Sequence, residues 1–225
     1  MEITWYGHAN FGLKTPGGTV LIDPFFAGNP SAPLKHTDIK ECDLILVTHD
    51  HADHIGQALE LAVRHDAEVV GVFEVIQDLL GQGLPEHLGV GMNIGGTVSR
   101  LGIDVKMVQA VHSSIHGTPA GFILTLADGA CIYNSGDTGL FGDMALFAKF
   151  HDIDIAILPV GGRFTMDAKQ AAYACKLLKC KKLIPQHWGT WPILAQNTES
   201  LAEQLSLLAP DTELVPMAVG ETVAF

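Results

Sequence analysis

The chain has 225 residues, 48% hydrophobic and 17% charged, a balance that supplies a large core and excludes an intrinsically disordered chain. Its 25 acidic against 13 basic residues give a formal net charge of −12 with histidine neutral, and no dense Lys/Arg tract offers the footprint that a nucleic-acid backbone demands. No run of about 18 apolar residues is present to span a membrane, and Met1-Glu2-Ile3-Thr4-Trp5 lacks both the basic start and the apolar segment of a signal peptide.

In chain order, apolar and alternating runs predict strands at 2–6, 10–14 and 19–23, with Thr15-Pro16-Gly17-Gly18 as the turn between the last two. Residues 24–40, which contain Gly28, Pro30 and Pro33, predict a long loop of the kind that shapes sites rather than cores. A buried strand follows at 43–48, around Leu44-Ile45-Leu46-Val47. The next element is a helix over 55–65, with Ile55, Leu59, Ala62 and Val63 as its apolar face. A strand at 67–72, a helix at 74–81 and strands at 96–100 and 103–111 come next. Residues 120–127 and 130–135 read as a hairpin around Asp128-Gly129. A helix at 143–149, strand 154–158, helix 168–179, strand 182–186, helix 198–208 and strands at 213–216 and 221–224 complete the chain. This mixture gives an α/β or α+β class with two mixed sheets. The length suits one domain over 1–225 with room for two similar halves, although no sequence repeat is visible.

Chemistry concentrates at residues 48 to 54, Thr-His-Asp-His-Ala-Asp-His. His49, His51, Asp53 and His54 are residue types that bind zinc and related divalent ions. In an extended chain, side chains two apart point the same way, so His49 and His51 can grip one ion. Asp53 and His54 lie past the turn, where a helix start can aim them at a second ion. The four cysteines, Cys42, Cys131, Cys175 and Cys180, have no metal-site or redox spacing and read as small buried thiols in a reducing cytosol. The expected location is therefore cytoplasmic. Composition leaves the oligomeric state open.

The run resembles the His-x-His-x-Asp-His signature of the metallo-β-lactamase superfamily. Family members add a histidine, a bridging aspartate and a last histidine downstream. The chain offers His112 in Ala110-Val111-His112-Ser113, Asp137 in Ser135-Gly136-Asp137-Thr138 and His187 in Pro185-Gln186-His187-Trp188, in that order. Trp5-Tyr6-Gly7-His8-Ala9-Asn10-Phe11, Leu21-Ile22-Asp23-Pro24-Phe25, Gly28-Asn29-Pro30 and Phe164-Thr165-Met166 are similar to a narrower group, the bacterial and archaeal metal-dependent hydrolases related to ascorbate-phosphate lactonase. The resemblance covers essentially the whole chain and implies a four-layer αββα sandwich. It implies two divalent ions, zinc first, with manganese, iron or nickel also compatible with these ligands. His49, His51 and His112 would hold one ion, Asp53, His54 and His187 the other, and Asp137 would bridge them. The implied reaction is hydrolysis of a small ester, lactone or phosphorylated molecule by a metal-bridged hydroxide, which Asp53 would also orient.

Around this set, His8 reads as a packed residue, one that backs a ligand, or one that lines the site. Asp23, before Pro24, reads as a turn residue or as the acceptor that fixes a ligand imidazole. His116 reads as a catalytic or substrate-contacting residue, or as a solvated loop histidine. Arg163 offers a fork for a carboxylate or phosphate; relatives carry an acidic or polar pair at this place, which leaves the substrate open. Trp188 and Trp191 read as core aromatics or pocket walls, and His36, His65, His87 and His151 as surface residues. The alternatives are a phosphodiesterase or nuclease, which shares such a metal site, and a metal-binding module without turnover. A diiron oxidoreductase is disfavoured because position 51 is His rather than Glu. A serine hydrolase is disfavoured because no serine stands in Gly-x-Ser-x-Gly. Gly89 and Gly91 supply only the first two positions of Gly-x-Gly-x-x-Gly. Gly161-Gly162 reads as a place where a loop passes close to the site.

Overall fold

Apolar, β-branched segments separated by glycine- and proline-bearing turns dominate the computed structural model, which describes residues 1–225. The strands are β1 (Glu2–Trp5), β2 (Phe11–Thr15), β3 (Gly18–Ile22), β4 (Leu44–Leu46), β5 (Glu68–Val72), β6 (Gly89–Met92), β7 (Thr97–Arg100), β8 (Ile103–Gln109), β9 (Ala120–Leu126), β10 (Cys131–Asn134), β11 (Ile155–Pro159), β12 (Lys182–Gln186), β13 (Glu213–Leu214) and β14 (Thr222–Ala224). The helices are α1 (Ala52–Ile55), α2 (Ala58–His65), α3 (Phe73–Gly81), α4 (Met144–Phe150), α5 (Ala168–Leu178) and α6 (Glu199–Leu208).

Two seven-stranded sheets result, ordered β14-β1-β2-β3-β4-β5-β6 and β13-β12-β11-β10-β9-β8-β7. In the first, β1, β2 and β3 form an antiparallel meander and β3 to β6 pair in parallel. In the second, β8, β9 and β10 form the meander and β10 to β13 pair in parallel. The helices follow the same plan: α2 and α3 separate the last parallel strands of one sheet, α5 and α6 those of the other. The two halves are therefore one topology used twice, with β14 and β7 on the outer side of each meander.

Period-two burial makes the layers. Phe122, Leu124, Ile132, Ile155, Ile157 and Ile184 from the second sheet share a core with Ile3, Leu13, Val20, Ile22 and Leu46 from the first. Their alternates Ile123, Tyr133, Ala156, Leu158 and Leu183 face outward onto Ala171, Cys175 and Leu178 of α5 and Leu201 and Leu205 of α6. Helix, sheet, sheet and helix are the four layers. Each fully buried Leu, Ile, Val or Phe contributes about 1.5–3 kcal/mol, so this interleaving is the main source of stability. All four cysteines are buried and free.

Several boundaries differ from the sequence reading. The helix expected over 55–65 is two pieces, because Gly56 breaks it with φ 42°. A Cβ there would lie 2.4 Å from Pro24 O and 2.6 Å from Phe25 Cα. The restart at Ala58 rotates the buried face to Ala58, Leu61 and Ala62, and Val63 becomes exposed. β6 was not expected; Gly89 and Gly91 pair with β5 because α3 lies so close that side chains there would press on Ile76, Leu80 and Phe73. Of the histidines expected at the surface, His87 is exposed, while His36, His65 and His151 are half-buried. No helix is long and apolar enough to cross a membrane.

Gly56→Ala is expected to lower stability to chemical denaturant by about 1–3 kcal/mol or more, the cost of a strained backbone conformation without the clash. Gly81→Ala is the control, since nothing lies within 4 Å of its added methyl and its helical position favours alanine. Equal midpoints for the two variants would contradict this account of the break.

Candidate metal centre

β1, β3, β4 and β5 run in one sense in the first sheet, and β8, β10, β11 and β12 in one sense in the second. Their C-terminal ends meet, joined by bonds from Ala120 N to Thr48 O (3.0 Å) and from His187 N to His8 O (3.1 Å). The segments leaving these ends carry His8, Asp23, His49, His112, Asp137 and His187. β8 stops at Gln109, so His112 stands three residues past its strand; its approach is fixed by Val111 N donating to Thr138 Oγ1 and Gly139 N to Val111 O, both 2.9 Å.

The run after β4 bends at Thr48 and, from an extended His51, enters the single turn α1. His49 Nε2 and His51 Nδ1 come within 2.9 Å. Ligand atoms of His49, His51 and His112 form one group within 4.8 Å. Those of His8, Asp53, His54 and His187 form a second, and His49, His54 and Asp137 a third that links them. Asp137 is the hub: His54 Nε2 lies 3.4 Å and His112 Nε2 3.6 Å from its oxygens, and His187 Nε2 lies 3.0 Å away. The seven residues expected as ligands are thus together.

Electrostatics decide which of these groups are charged. Burial penalises the Asp137 carboxylate, yet His54 and His187 hold it well below the ordinary carboxylate range. Burial also opposes charge on His54, but Asp137 and Asp23 raise it well above the usual imidazole value. His49 is pushed far down by burial, then by His54, and His112 is lowered mainly by burial. Both are neutral imidazoles at pH 7, the form that donates a lone pair to a metal.

The donor set fits a divalent cation. His54 Nε2 and Asp137 Oδ1 are buried with no hydrogen-bond partner, because 3.4 Å and poor alignment do not make a bond between them. Such orphans cost about 1–3 kcal/mol each unless another group satisfies them. Neutral imidazoles mixed with carboxylates are the ligands of zinc and its neighbours.

The surrounding residues aim the rings. Asp23, held at φ 47°, accepts from Thr48 N (2.8 Å), Thr48 Oγ1 (2.7 Å) and His54 Nδ1 (2.7 Å). It therefore holds the His54 ring through Nδ1. His8 Nε2 lies 3.1 Å from Asp53 Oδ2 and Nδ1 lies 2.9 Å from Thr190 Oγ1. Burial lowers His8 to about 4. A neutral ring facing a carboxylate must donate from Nε2, which leaves Nδ1 to accept from Thr190. The turn before Asp137 is pinned by Gly136 N on Asn134 Oδ1 and by Gln186 Nε2 on Gly136 O, each 2.9 Å. A Cβ on Gly161 would lie 2.3 Å from His187 O, so only glycine passes beside that histidine.

Two expected residues are not brought to the cluster. His116 bonds Asp50 through Nδ1 at 2.7 Å and lines a separate cavity of about 270 Å³ with Gly56, Asp78 and Gln82. Arg163 is exposed and makes no ion pair. Trp191 meets the His8 ring edge-on at 4.7 Å and walls the site, whereas Trp188 stacks on Trp5 at 5.3 Å in the core. Thr48, Thr190 and Asp50 escaped the sequence reading. Most of their partners lie far along the chain, and only Thr48 and Asp50, inside the histidine run, carried a local signal.

The chain matches the model described as Beta-lactamase superfamily domain over residues 2–187. A protein named UPF0173 metal-dependent hydrolase from Nitratidesulfovibrio vulgaris is 49% identical over 225 residues, covering 99% of this chain and 94% of that one. Another from Lawsonia intracellularis is 43% identical over 218 residues, covering 96% and 95%. Among solved structures, Igni18, described as a metallo hydrolase from the archaeon Ignicoccus hospitalis, superposes with a TM-score of 0.91 at 33% identity, covering 100% of this chain and 97% of that one.

His51→Ala and Asp137→Ala are each expected to reduce the divalent metal retained per chain, read by elemental analysis; unchanged content would remove these residues from the site. Asp23→Asn leaves every ligand in place and is expected to weaken metal affinity about 10- to 100-fold.

Proposed function

The chain belongs to the metallo-β-lactamase superfamily and, within it, to the UPF0173 metal-dependent hydrolases, and we propose that it hydrolyses a small ester, lactone or phosphorylated molecule at two divalent ions, zinc first among them. The observation that carries this reading is the buried Asp137 carboxylate faced by His54, His112 and His187, with a ligand group on each side. His49, His51 and His112 would hold one ion, Asp53, His54 and His187 the other, and Asp137 would serve both. Ions bound there supply water activated at neutral pH and polarise the electrophile.

The chain's own groups supply orientation and proton handling. Burial opposes ionisation of Asp53, but His8 and His54 hold it far below the usual carboxylate range. It is therefore a carboxylate acceptor on the open side of the cluster, its side chain 29% exposed. His8 donates to Asp53 and leans on Thr190, which keeps that carboxylate turned inward. Phe25 and Trp191 pack around the His8 ring and limit water behind it. Arg163 stands exposed in loop 161–167, outside the cluster, and would meet a carboxylate or phosphate only of a substrate that reaches beyond it. A net charge of −12 supports a small substrate over nucleic acid.

The test is a panel of esters, lactones, phosphomonoesters and bis(p-nitrophenyl) phosphate, assayed before and after chelation. Hydrolysis of at least one small ester, lactone or phosphomonoester is expected, abolished by chelator and restored by zinc or manganese. Asp53→Ala is expected to lower kcat by about 10²- to 10⁴-fold. Metal-replete protein that turns over nothing on the panel would sink the enzymatic reading, and faster cleavage of the diester than of every other class would shift it to a phosphodiesterase.

A further inference from the structure

Asp50 lies between His49 and His51, and its carboxylate is the most heavily bonded in the structure outside the ligand cluster. Its side chain is turned away from the ligand atoms, toward residues 114–116. It is 6% exposed. Oδ1 accepts from Ser114 Oγ and Ile115 N, both 2.7 Å. Oδ2 accepts from His116 N at 2.8 Å and His116 Nδ1 at 2.7 Å. Every donor comes from the segment that begins two residues after His112. The residue just before that segment touches His51 directly, with Ser113 Oγ 3.4 Å from His51 Nε2, the ring nitrogen turned away from His49. Gly117 closes the segment at φ 65°, where a Cβ would press on Val72 and Glu74 at 2.9 Å.

One carboxylate thus ties the two chain segments that carry His49, His51 and His112. The tie is long-range, joining residues more than 60 apart in sequence. No comparable bond joins Asp50 to the segments bearing Asp53's partners His8 and His187.

We propose that Asp50 is a positioning residue for the His49–His51–His112 triad, locking residues 113–116 behind it so that the three imidazoles are held ready for one ion of the pair. The proposal rests on the two-ion reading above. A carboxylate is required because both oxygens face two donors each. An amide at this place must turn its NH₂ toward one of those donor pairs, so Asp50→Asn opposes donor to donor instead of preserving the shape. The interaction is also selective: it supports one triad, while His54 is supported by Asp23 and Asp53 by His8.

The experiment is a zinc titration of the full-length chain against a chromophoric chelator, with circular dichroism and thermal melts of the metal-free proteins alongside. Unsubstituted protein is expected to bind two ions. In Asp50→Asn the dissociation constant of one ion is expected to rise about 10- to 100-fold, with the other within about twofold. His116→Ala removes a single donor and keeps the main-chain bonds; it is expected to weaken the same ion about fivefold, the worth of one hydrogen bond. This milder variant decides the matter if Asp50→Asn does not fold. Both affinities moving together, or neither moving in either variant, overturns the proposal while leaving the two-ion reading intact. Unsubstituted protein that binds no ion overturns both.

Discussion

A carboxylate buried to 3% exposure where two sheets meet is the constraint around which the rest of the structure is arranged. Asp137 has lost its hydration and cannot be neutralised cheaply by protonation, since the surrounding imidazoles keep it ionised. Compensating positive charge must be brought to it. Three rings face it, from the run after β4, the loop after β8 and the end of β12, and His54 is the one whose basicity the site raises. The same negative potential that draws protonated His54 is what would hold a cation. Stability and metal affinity therefore compete for one set of lone pairs.

The twofold use of one topology explains how such a site arises at the edge of a sandwich. β1 corresponds to β8 and β3 to β10, so His8 corresponds to His112 and Asp23 to Asp137. The two aspartates approach the two nitrogens of His54 from either half, Nδ1 at 2.7 Å and Nε2 at 3.4 Å. Equivalent places have taken different tasks. Asp137 faces the ligand rings, whereas Asp23 is withdrawn behind one of them, saturated by Thr48 and His54. The halves diverge most after the fourth strand of each. After β4 comes the histidine run; after β11 comes Gly161, which bears no side chain and makes room for His187.

What the sequence displayed of this arrangement follows from the range of each interaction. Strands with period-two patterning and the hairpin at Asp128-Gly129 were legible because their signal is local. So were His49, His51, Asp53 and His54, packed into six residues. His112, Asp137 and His187 were legible through their resemblance to a known ligand order, each behind an apolar run. The break at Gly56 was not, because its cause is Pro24 and Phe25, 32 and 31 residues earlier. β6 was hidden because Gly89 and Gly91, poor strand formers, are chosen for clearance beneath α3. The partner of His116 was hidden for a related reason: Asp50 lies 66 residues away in sequence.

The hydrogen bonds behind the rings also separate what is fixed from what is free. His49 is backed by Thr48 at 3.1 Å, His54 by Asp23, His8 by Thr190, and the Asp137 turn by Asn134 and Gln186. His187 Nδ1 has no partner; its ring is oriented by φ 58° at its own backbone and by the crowding of Gly161. None of these supports lies in the outer part of loop 161–167, where Arg163 and Phe164 are exposed. Sequence change there meets no ligand and disturbs no supporting bond. The exposed outer part of this loop, at Arg163 and Phe164, can therefore vary at little cost to the cluster.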